Sequence, residues 1–194
     1  MNPKLKSIKD KHVISRSEDM WVLASPIRME VLNAACALEE CSAGEIAVFT
    51  GRSRTSIYPH IEQLVEAGLM LEADVRLAGK RYEQLYHPIA RTILIKHNPD
   101  DSDVVAYHRA HSKAVGRMIT RLHERAIDDP SAVVRGPLRD TYLGIISAWV
   151  NDDSLEEINE LIGRIWEICR TSHPGDDKRL VNLGIMLAPN TRKD

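Results

Sequence analysis

The sequence predicts a mainly α-helical protein that carries one small β-hairpin. Apolar residues recur at helical spacing along most of its 194 residues. Two Ser-x-x-Glu sequences, beginning at Ser42 and Ser154, are typical of helix starts. Aromatic residues make up only 5% of the chain, so aliphatic side chains must fill the core, which suits packed helices. Two alternating segments around Gly79 predict the hairpin.

The N-terminal residues divide into a basic arm and a first helix. Residues 1–17 alternate lysines with isolated apolar residues and are expected to be a flexible basic arm, which becomes ordered near residues 18–23. Ser25 and Pro26 then supply a capping serine and a proline at the first helical position. A helix over residues 26–38 follows. Its apolar positions at helical spacing are Ile27, Val31, Leu32, Ala35 and Leu38.

Two short helices joined by a glycine turn are predicted next. Ser42 and Glu45 form a capping box ahead of the first, and Gly51 ends it. The second begins near Ser53 and ends before Gly68, which takes the left-handed closing position. The apolar residues expected in the core are Ile57, Ile61, Leu64, Val65 and Leu69. This arrangement is a helix-turn-helix pattern.

Two strands are expected after the second helix, over residues 69–75 and 81–87. The intervening sequence Leu-Ala-Gly-Lys at 77–80 supplies a glycine turn, so the strands form a β-hairpin, or wing. Helices and hairpin together predict a winged helix-turn-helix domain over residues 18–97.

Residues 98–194 are expected to form a helical dimerisation or effector region with one C-terminal strand. A helix starting at Pro88 and running through Leu94 leads up to it, and the polar residues 98–101 mark the boundary. The elements predicted beyond the boundary are helices over 102–127, 138–150 and 154–169 and a strand over 179–188. The length of the helix over 102–127 suits a strut between two subunits.

Composition and charge restrict the classes of function. The net charge of −2 argues against a uniformly basic nucleic-acid binder, so any such surface must be local. No apolar run approaches the roughly 20 residues that span a bilayer, and the lysine-rich start leads into no apolar signal core. Cys36, Cys41 and Cys169 are too few for a secreted disulfide framework and are expected to be small buried hydrophobes. These features predict a cytoplasmic protein without a membrane partner.

The glycine turn and the first turns of the second helix carry cationic and hydroxyl side chains without a carboxylate. The residues predicted to contact DNA there are Arg52, Ser53, Arg54, Thr55, Ser56, Tyr58 and, further along, His60. Arg54 is the first candidate for a base or phosphate contact, because arginine can bond guanine bidentately. Serine and threonine hydroxyls more often bind phosphate. The alternative is a solvated cap and turn.

The hairpin carries a second group of cations. Arg76, Lys80 and Arg81 surround Gly79 and are predicted to lie along the minor groove or neighbouring phosphates. Double-stranded DNA is therefore the predicted ligand of both groups.

Pro59 conflicts with a helix that begins at Ser53. At this depth proline removes the hydrogen bond to the Thr55 carbonyl and crowds that turn, at a cost on the order of 3 kcal/mol. If Ser56 is instead the cap, Pro59 falls in the first turn, where its missing N–H would be unpaired anyway. We therefore expect a kink at Pro59, or a helix that starts one turn late with Arg54 and Thr55 in the preceding loop.

These residues resemble the ArsR-like winged helix-turn-helix transcriptional regulators over about 18–96. The matching segments are 24–32, 44–47 and 53–69, the last including Tyr-x-His-Ile-x-x-Leu-x-x-Ala-Gly-Leu. The resemblance implies a homodimer that places two recognition helices in successive major grooves and sets the wing against the flanking backbone. Repression of a promoter is the outcome it implies. Residues 148–161 and 181–189 resemble, more loosely, an extension found on some larger relatives.

Metal sensing is not predicted. Some ArsR-like proteins bind thiophilic metals through Cys-x-Cys on the helix before the turn, but residues 45–49 here are Glu-Ile-Ala-Val-Phe. His108 and His111 lie three apart and could share a helix face as zinc ligands, with Asp103 or His123 across a dimer. A second metal site of ArsR-like proteins includes an Asp-x-His sequence on the dimer helix. Here Asp-x-His occurs only at residues 10–12, in the N-terminal arm. No metal and no cofactor is therefore expected.

Catalysis is not predicted either. The sequence contains no nucleophile elbow, glycine-rich phosphate loop or Cys-x-x-Cys. Trp149 and Trp166 could wall a pocket for an unidentified small-molecule effector, although such side chains are more often packed core. The apolar residues grouped with them are Ile145, Ile146, Ile162 and Met186.

The sequence thus predicts a DNA-binding transcriptional regulator, a repressor, that reads the major groove with the helix near residues 53–67. The alternative is a winged-helix protein–protein interaction module without specific DNA binding, in which Pro59 marks a lost fit to the groove. Binding to random duplex DNA that falls steeply with salt separates the two interpretations.

Overall fold

A computed structural model describes residues 8–172, 175 and 178–190 of the chain. The described part contains six α-helices, a three-stranded antiparallel sheet and a separate pair of parallel strands. The fold is therefore mixed α and β, with more strand than the sequence predicts. Residues 1–7 of the predicted arm lie outside the described residues.

The helices are α1 (Ser17–Trp21), α2 (Pro26–Leu38), α3 (Ala43–Thr50), α4 (Arg54–Glu66), α5 (Ser102–Ile127) and α6 (Asp152–Arg170). The strands are β1 (Lys9–Ile14), β2 (Cys41–Ser42), β3 (Met70–Ala78), β4 (Arg81–Pro88) and β5 (Ala90–Ile95). Helices α2 and α5 have their predicted ranges.

Helix α3 begins and ends at the predicted residues. The Ser42 backbone N–H donates to the Glu45 carboxylate at 2.8 Å, and the Glu45 N–H donates to the Ser42 hydroxyl at 3.3 Å. The predicted capping box is thus confirmed. Gly51 ends the helix in the left-handed conformation, with φ of 62°. Ser25, by contrast, precedes α2 without making a side-chain capping bond.

Helix α4 starts at Arg54, so the predicted late start at Ser56 is wrong. The Ser53 hydroxyl accepts the Ser56 N–H at 3.2 Å and caps the helix, which then continues through Pro59. Thr55, whose carbonyl has lost its N–H donor at Pro59, is an exposed residue. The kink at Pro59 stays a prediction.

The predicted hairpin is confirmed, and its strands are longer than expected. Strands β3 and β4 pair as far as Ala78 and Arg81, which leaves a two-residue turn. Gly79, with φ of 63°, takes the first turn position, as a type II′ turn requires. The short strand β2 extends this sheet on the other side of β4.

The helix predicted from Pro88 is wrong, because residues 90–95 form β5. Lys9 pairs with Ala90 and Ile14 with Ile95, in parallel. Residues 9–14, expected to belong to a flexible arm, therefore form β1. Each strand supplies the other's backbone hydrogen bonds. The two strands lie about eighty residues apart in sequence, so local sequence patterns could not predict their pairing.

One apolar core packs helices α1 to α4 and the first half of α5 against the hairpin. Helix α4 packs against α2 and α3, and α5 packs against α1 and α2. The fully buried side chains include Met20, Ile46, Ile57, Leu64 and Tyr107. Helix α4 thereby turns Ile57, Ile61 and Leu64 inward and leaves its other face to solvent.

The predicted C-terminal elements form only in part. The helix over 138–150 and the strand over 179–188 are wrong, because the described residues there have no regular secondary structure. An isolated helix of that length is marginal in water without a surface to pack on. Helix α6 starts before the predicted capping box, because the Asn151 side chain caps it by accepting the Ser154 N–H at 2.9 Å.

The cysteines occupy three different environments. Cys41 is buried, Cys36 is partly buried and Cys169 is exposed, so the prediction of three buried hydrophobes is wrong for Cys169. Burial raises the pKa of the Cys36 and Cys41 thiols to about 12, which keeps both protonated at neutral pH.

Within the described ranges, no helix is long and apolar enough to cross a lipid bilayer.

Candidate nucleic-acid interface

A groove of about 260 Å³ lies between the N-terminal ends of α3 and α4 and the hairpin. Arg54 and Tyr58 of α4 line one side of it, and Arg81 and Glu83 of β4 line the other. We call this space the α4–hairpin groove. It brings together predicted DNA-contacting residues from both groups, which lie more than twenty residues apart in sequence.

Arg54 extends across the α4–hairpin groove. Its side chain is 56% exposed, and its guanidinium donates to the Glu83 carboxylate at 2.8 Å. The same guanidinium lies over Gly44, where an added Cβ would come within 2.1 Å of its nitrogen. Any larger residue at 44 would therefore have to displace Arg54.

Arg76 is held by carboxylates from two elements. Its guanidinium lies 2.9 Å from Glu45 of α3 and 3.7 Å from Glu83. Partial burial disfavours the charged form of Glu45, but the Ser42 backbone N–H and Arg76 outweigh it and lower the pKa of that carboxyl. The carboxylate stays charged at neutral pH. Both of these predicted contact residues therefore have acidic partners.

The start of α4 presents small polar groups to solvent. Ser53, Thr55, Ser56 and Tyr58 are all exposed. Ser53 caps the helix, and the Ser56 hydroxyl donates to the Ser53 carbonyl at 2.8 Å. Thr55 and Tyr58 lie one turn apart, so they are neighbours on this face. The hydroxyl-rich surface predicted from the sequence is exposed.

Arg52 and His60 lie away from the groove. The Arg52 guanidinium donates to the Glu30 carboxylate at 2.9 Å, and the Arg52 side chain is partly buried. Burial, together with the charges of Arg28 and Arg52, lowers the pKa of His60. The imidazole is therefore neutral at physiological pH, and it supplies no positive charge to a phosphate.

The two faces of the hairpin differ in chemistry. Arg76 pairs with Glu83 and Ala78 with Arg81 across the strands, so these residues share the face that borders the groove. Strand alternation turns Val75, Leu77 and Tyr82 to the opposite face. All three are exposed apolar side chains, and Tyr82 also lines the groove. At the tip, Lys80 and Arg81 are exposed.

Sequence reasoning missed Gly44, Glu45 and Glu83 as parts of this site. The stretch around Arg54 is free of acids locally, and the carboxylates arrive from α3 and β4. Glu83 follows Arg81 by two residues, so strand alternation places both on one face of β4. That signal was available, but the register that sets Glu83 opposite Arg76 was not.

The histidines considered as zinc ligands, His108 and His111, lie on the side of α5 that faces the core. His111 Nδ1 is 2.9 Å from the Tyr107 hydroxyl and 3.3 Å from the Leu23 carbonyl. His108 stacks edge-on against His97, with ring centroids 4.5 Å apart. Among the described residues, no three His, Cys, Asp or Glu side chains are grouped so that they could hold a metal ion.

The tryptophans considered for an effector pocket are exposed. Trp149 is 92% exposed and Trp166 is 54% exposed. Ile145 and Ile146, which were grouped with them, are also exposed. In the described structure these side chains form neither a closed pocket nor a packed core.

No model of a known protein family matches the chain, and no curated protein matches it.

Proposed function

We propose that this protein is a DNA-binding transcriptional regulator, a repressor of the ArsR-like winged helix-turn-helix type. The observation that carries the proposal is the α4–hairpin groove. A short helix, a left-handed glycine turn and a second helix with an exposed hydroxyl-rich start are followed by a hairpin with cations at its tip. In this proposal α4 enters the major groove and Lys80 and Arg81 contact phosphates.

The acidic partners of the groove arginines bear directly on this proposal. Arg54 is more than half exposed, whereas Glu83 is only 19% exposed. A phosphate that replaces Glu83 as the partner of Arg54 would leave Glu83 with Arg76 as its cation. Arg54, Arg76 and Arg81 against Glu45 and Glu83 leave the groove one positive charge in excess. The acids weaken non-specific attraction without abolishing it.

A protein–protein interaction module is the second candidate function. The apolar outer face of the hairpin supports it, since Val75, Leu77 and Tyr82 are all at least half exposed. The neutralised arginines support it as well. In this alternative a partner protein covers the hairpin and DNA does not bind.

A homodimer is part of the proposed regulator. Helix α6 buries none of its residues, and Leu161, Trp166 and Ile168 are among its exposed apolar side chains. An apolar surface of this extent on a soluble chain marks an interaction site. A second copy of the chain would also supply the second recognition helix that a two-fold operator requires. We therefore place α6 at the subunit interface.

Titration of labelled random-sequence duplex DNA with the full-length protein, over a salt series, tests the proposed function. We expect binding at low salt, with log affinity falling linearly as log salt concentration rises. On a duplex selected for tight binding, Arg54→Ala should weaken binding by about 1–3 kcal/mol. A bidentate contact between arginine and guanine in the DNA major groove has that value. The substitution should also reduce the salt slope by about 1 if the contact is to phosphate.

Arg16→Ala is the matched control for Arg54→Ala. Arg16 is also an exposed arginine paired with a glutamate, Glu18, at 2.7 Å, but it lies on the chain before α1. Its replacement should leave DNA affinity unchanged. Absence of duplex binding at low salt would refute the regulator and favour the interaction module.

A further inference from the structure

Glu30 is a buried carboxylate that the proposed DNA contacts do not use. It lies in the middle of α2, and its side chain is only 5% exposed. Two guanidinium groups approach the same oxygen: Arg52, from the turn before α4, at 2.9 Å, and Arg121, from α5. A buried carboxylate is stable only when it is paired in this way. Three separate segments therefore meet at one side chain.

Arg125 makes a second link between α5 and the same turn. It follows Arg121 by four residues and so lies on the same side of α5. Its guanidinium donates to the Thr50 carbonyl, the last of α3, at 2.9 Å. Such terminal carbonyls lack partners within their own helix, and a cation there is favourable.

Gly51 makes the approach of Arg125 possible. An added Cβ at this position would lie 2.7 Å from the Arg125 guanidinium, closer than real contacts allow. Glycine is therefore required twice at this position, for the left-handed φ of 62° and for the close packing of Arg125. The turn is shaped to receive the α5 side chain.

These contacts clamp residues 50–52 immediately before Ser53, the cap of α4. The cavity beside Glu30, Thr50 and Arg121 is only about 10 Å³, too small for an effector molecule. The connection between α5 and the turn therefore runs through direct contacts. A displacement of α5 must either move the turn or break these bonds.

We infer that Glu30, with Arg52, Arg121 and Arg125, transmits the placement of α5 to the turn that positions α4. We call these four residues the Glu30 cluster. They are positioning residues, since none lies in the α4–hairpin groove. The inference deepens the proposed function: any event that shifts α5 would alter DNA affinity through this cluster.

Hydrogen exchange of backbone amides in the full-length protein tests this inference without DNA. The Gly51 and Arg52 N–H groups donate to the Val48 and Ala47 carbonyls at 3.1 and 3.0 Å, so their exchange reports opening of the turn. Glu30→Gln keeps the side-chain volume and removes the charge. We expect exchange at these two amides to rise at least about tenfold, because a charge-assisted bond is lost.

Arg125→Ala gives a second test that does not disturb the buried carboxylate. We expect it to accelerate exchange at Gly51 and Arg52 while the core amides of α2 keep the wild-type rate. Arg117→Ala is its matched control, because Arg117 is an exposed arginine two turns earlier on α5. Glu18→Gln serves as the control for Glu30→Gln, since Glu18 pairs with Arg16 at the surface.

The outcomes separate this inference from the proposed function. Wild-type exchange at the turn in Arg125→Ala, or an equal rise at every helix, would overturn the role of the cluster even if Glu30→Gln fails to fold. A local rise in exchange with no duplex binding by the wild type would retain the cluster and refute the regulator. Where DNA binds, Arg125→Ala should lower affinity severalfold with an unchanged salt slope, since no phosphate contact is removed.

Discussion

Helices α4 and α6 are both amphipathic, but within the described residues only α4 has buried side chains. Helix α4 buries Ile57, Ile61 and Leu64 against α2 and α3, whereas α6 buries no residue. In the described structure, every buried apolar side chain lies between Ile14 and Ala114. An apolar stripe shows that a helix needs a packing surface without showing where that surface is. For α6 we propose that this surface belongs to a second copy of the chain.

The largest effect is expected from a substitution in the packed region, the part of the chain between Ile14 and Ala114 that holds the buried apolar side chains. Leu64 is fully buried in α4, so Leu64→Ala should lower the free energy of unfolding by about 2–5 kcal/mol. Ile145 is 98% exposed, so Ile145→Ala should change it by less than about 0.5 kcal/mol. Urea unfolding at protein concentrations that keep the chain monomeric measures both. Equal decreases in the free energy of unfolding for the two variants would mean that the surroundings of Leu64 and Ile145 do not differ in packing.

A smaller effect is expected on self-association through α6. Trp166→Ala should weaken dimerisation by about tenfold or more, because buried tryptophans carry much of the binding energy of interfaces. Light scattering across a concentration series measures the dissociation constant. Glu160→Ala, on the polar face of the same helix, is the control and should leave it unchanged. A wild-type chain that stays monomeric at all concentrations would contradict the dimer.

Acid should destabilise the packed region through its histidines. Burial lowers the pKa of His111, although the Leu23 backbone opposes this, and burial also lowers the pKa of His108. The folded state therefore binds fewer protons than the unfolded state just below the ordinary histidine pKa of about 6.5. Stability is full above that pH and is lost as the pH falls through it.

Urea midpoints at pH about 7.5 and about 5.5 measure this loss. His111→Gln should show a smaller decrease than the wild type, because glutamine does not titrate. An equal decrease in both proteins would show that His111 contributes nothing to the pH dependence.

Local sequence signals predicted local structure well. The capping box of Ser42 and Glu45, the glycine ends of α3 and α4 and the hairpin around Gly79 all depend on neighbours in sequence. The turn itself is shorter than predicted, because the strands pair as far as Ala78 and Arg81. Strand β5 was predicted as a helix because its partner, β1, lies far away along the chain. The start of α6 was misplaced because Asn151 is as good a cap as Ser154.

In the candidate site, too, local sequence predicted local features and missed contacts between distant segments. The hydroxyl groups of α4 and the cations of the hairpin tip are exposed as the sequence predicts. The pairing of Arg54 with Glu83, and of Arg52 with Glu30, depends on how distant segments pack. Sequence patterns therefore predicted the exposure of these side chains but not the carboxylates that pair with the arginines.

Binding of Glu83→Gln to random-sequence duplex DNA, over a salt series, tests the central claim most directly. Glu83 neutralises cations at the centre of the α4–hairpin groove, where our account places the phosphate backbone. Its replacement should tighten binding and steepen the salt slope by about 0.9, as expected for one more neutralised phosphate. Unchanged or weaker binding would contradict the claim that this groove holds DNA.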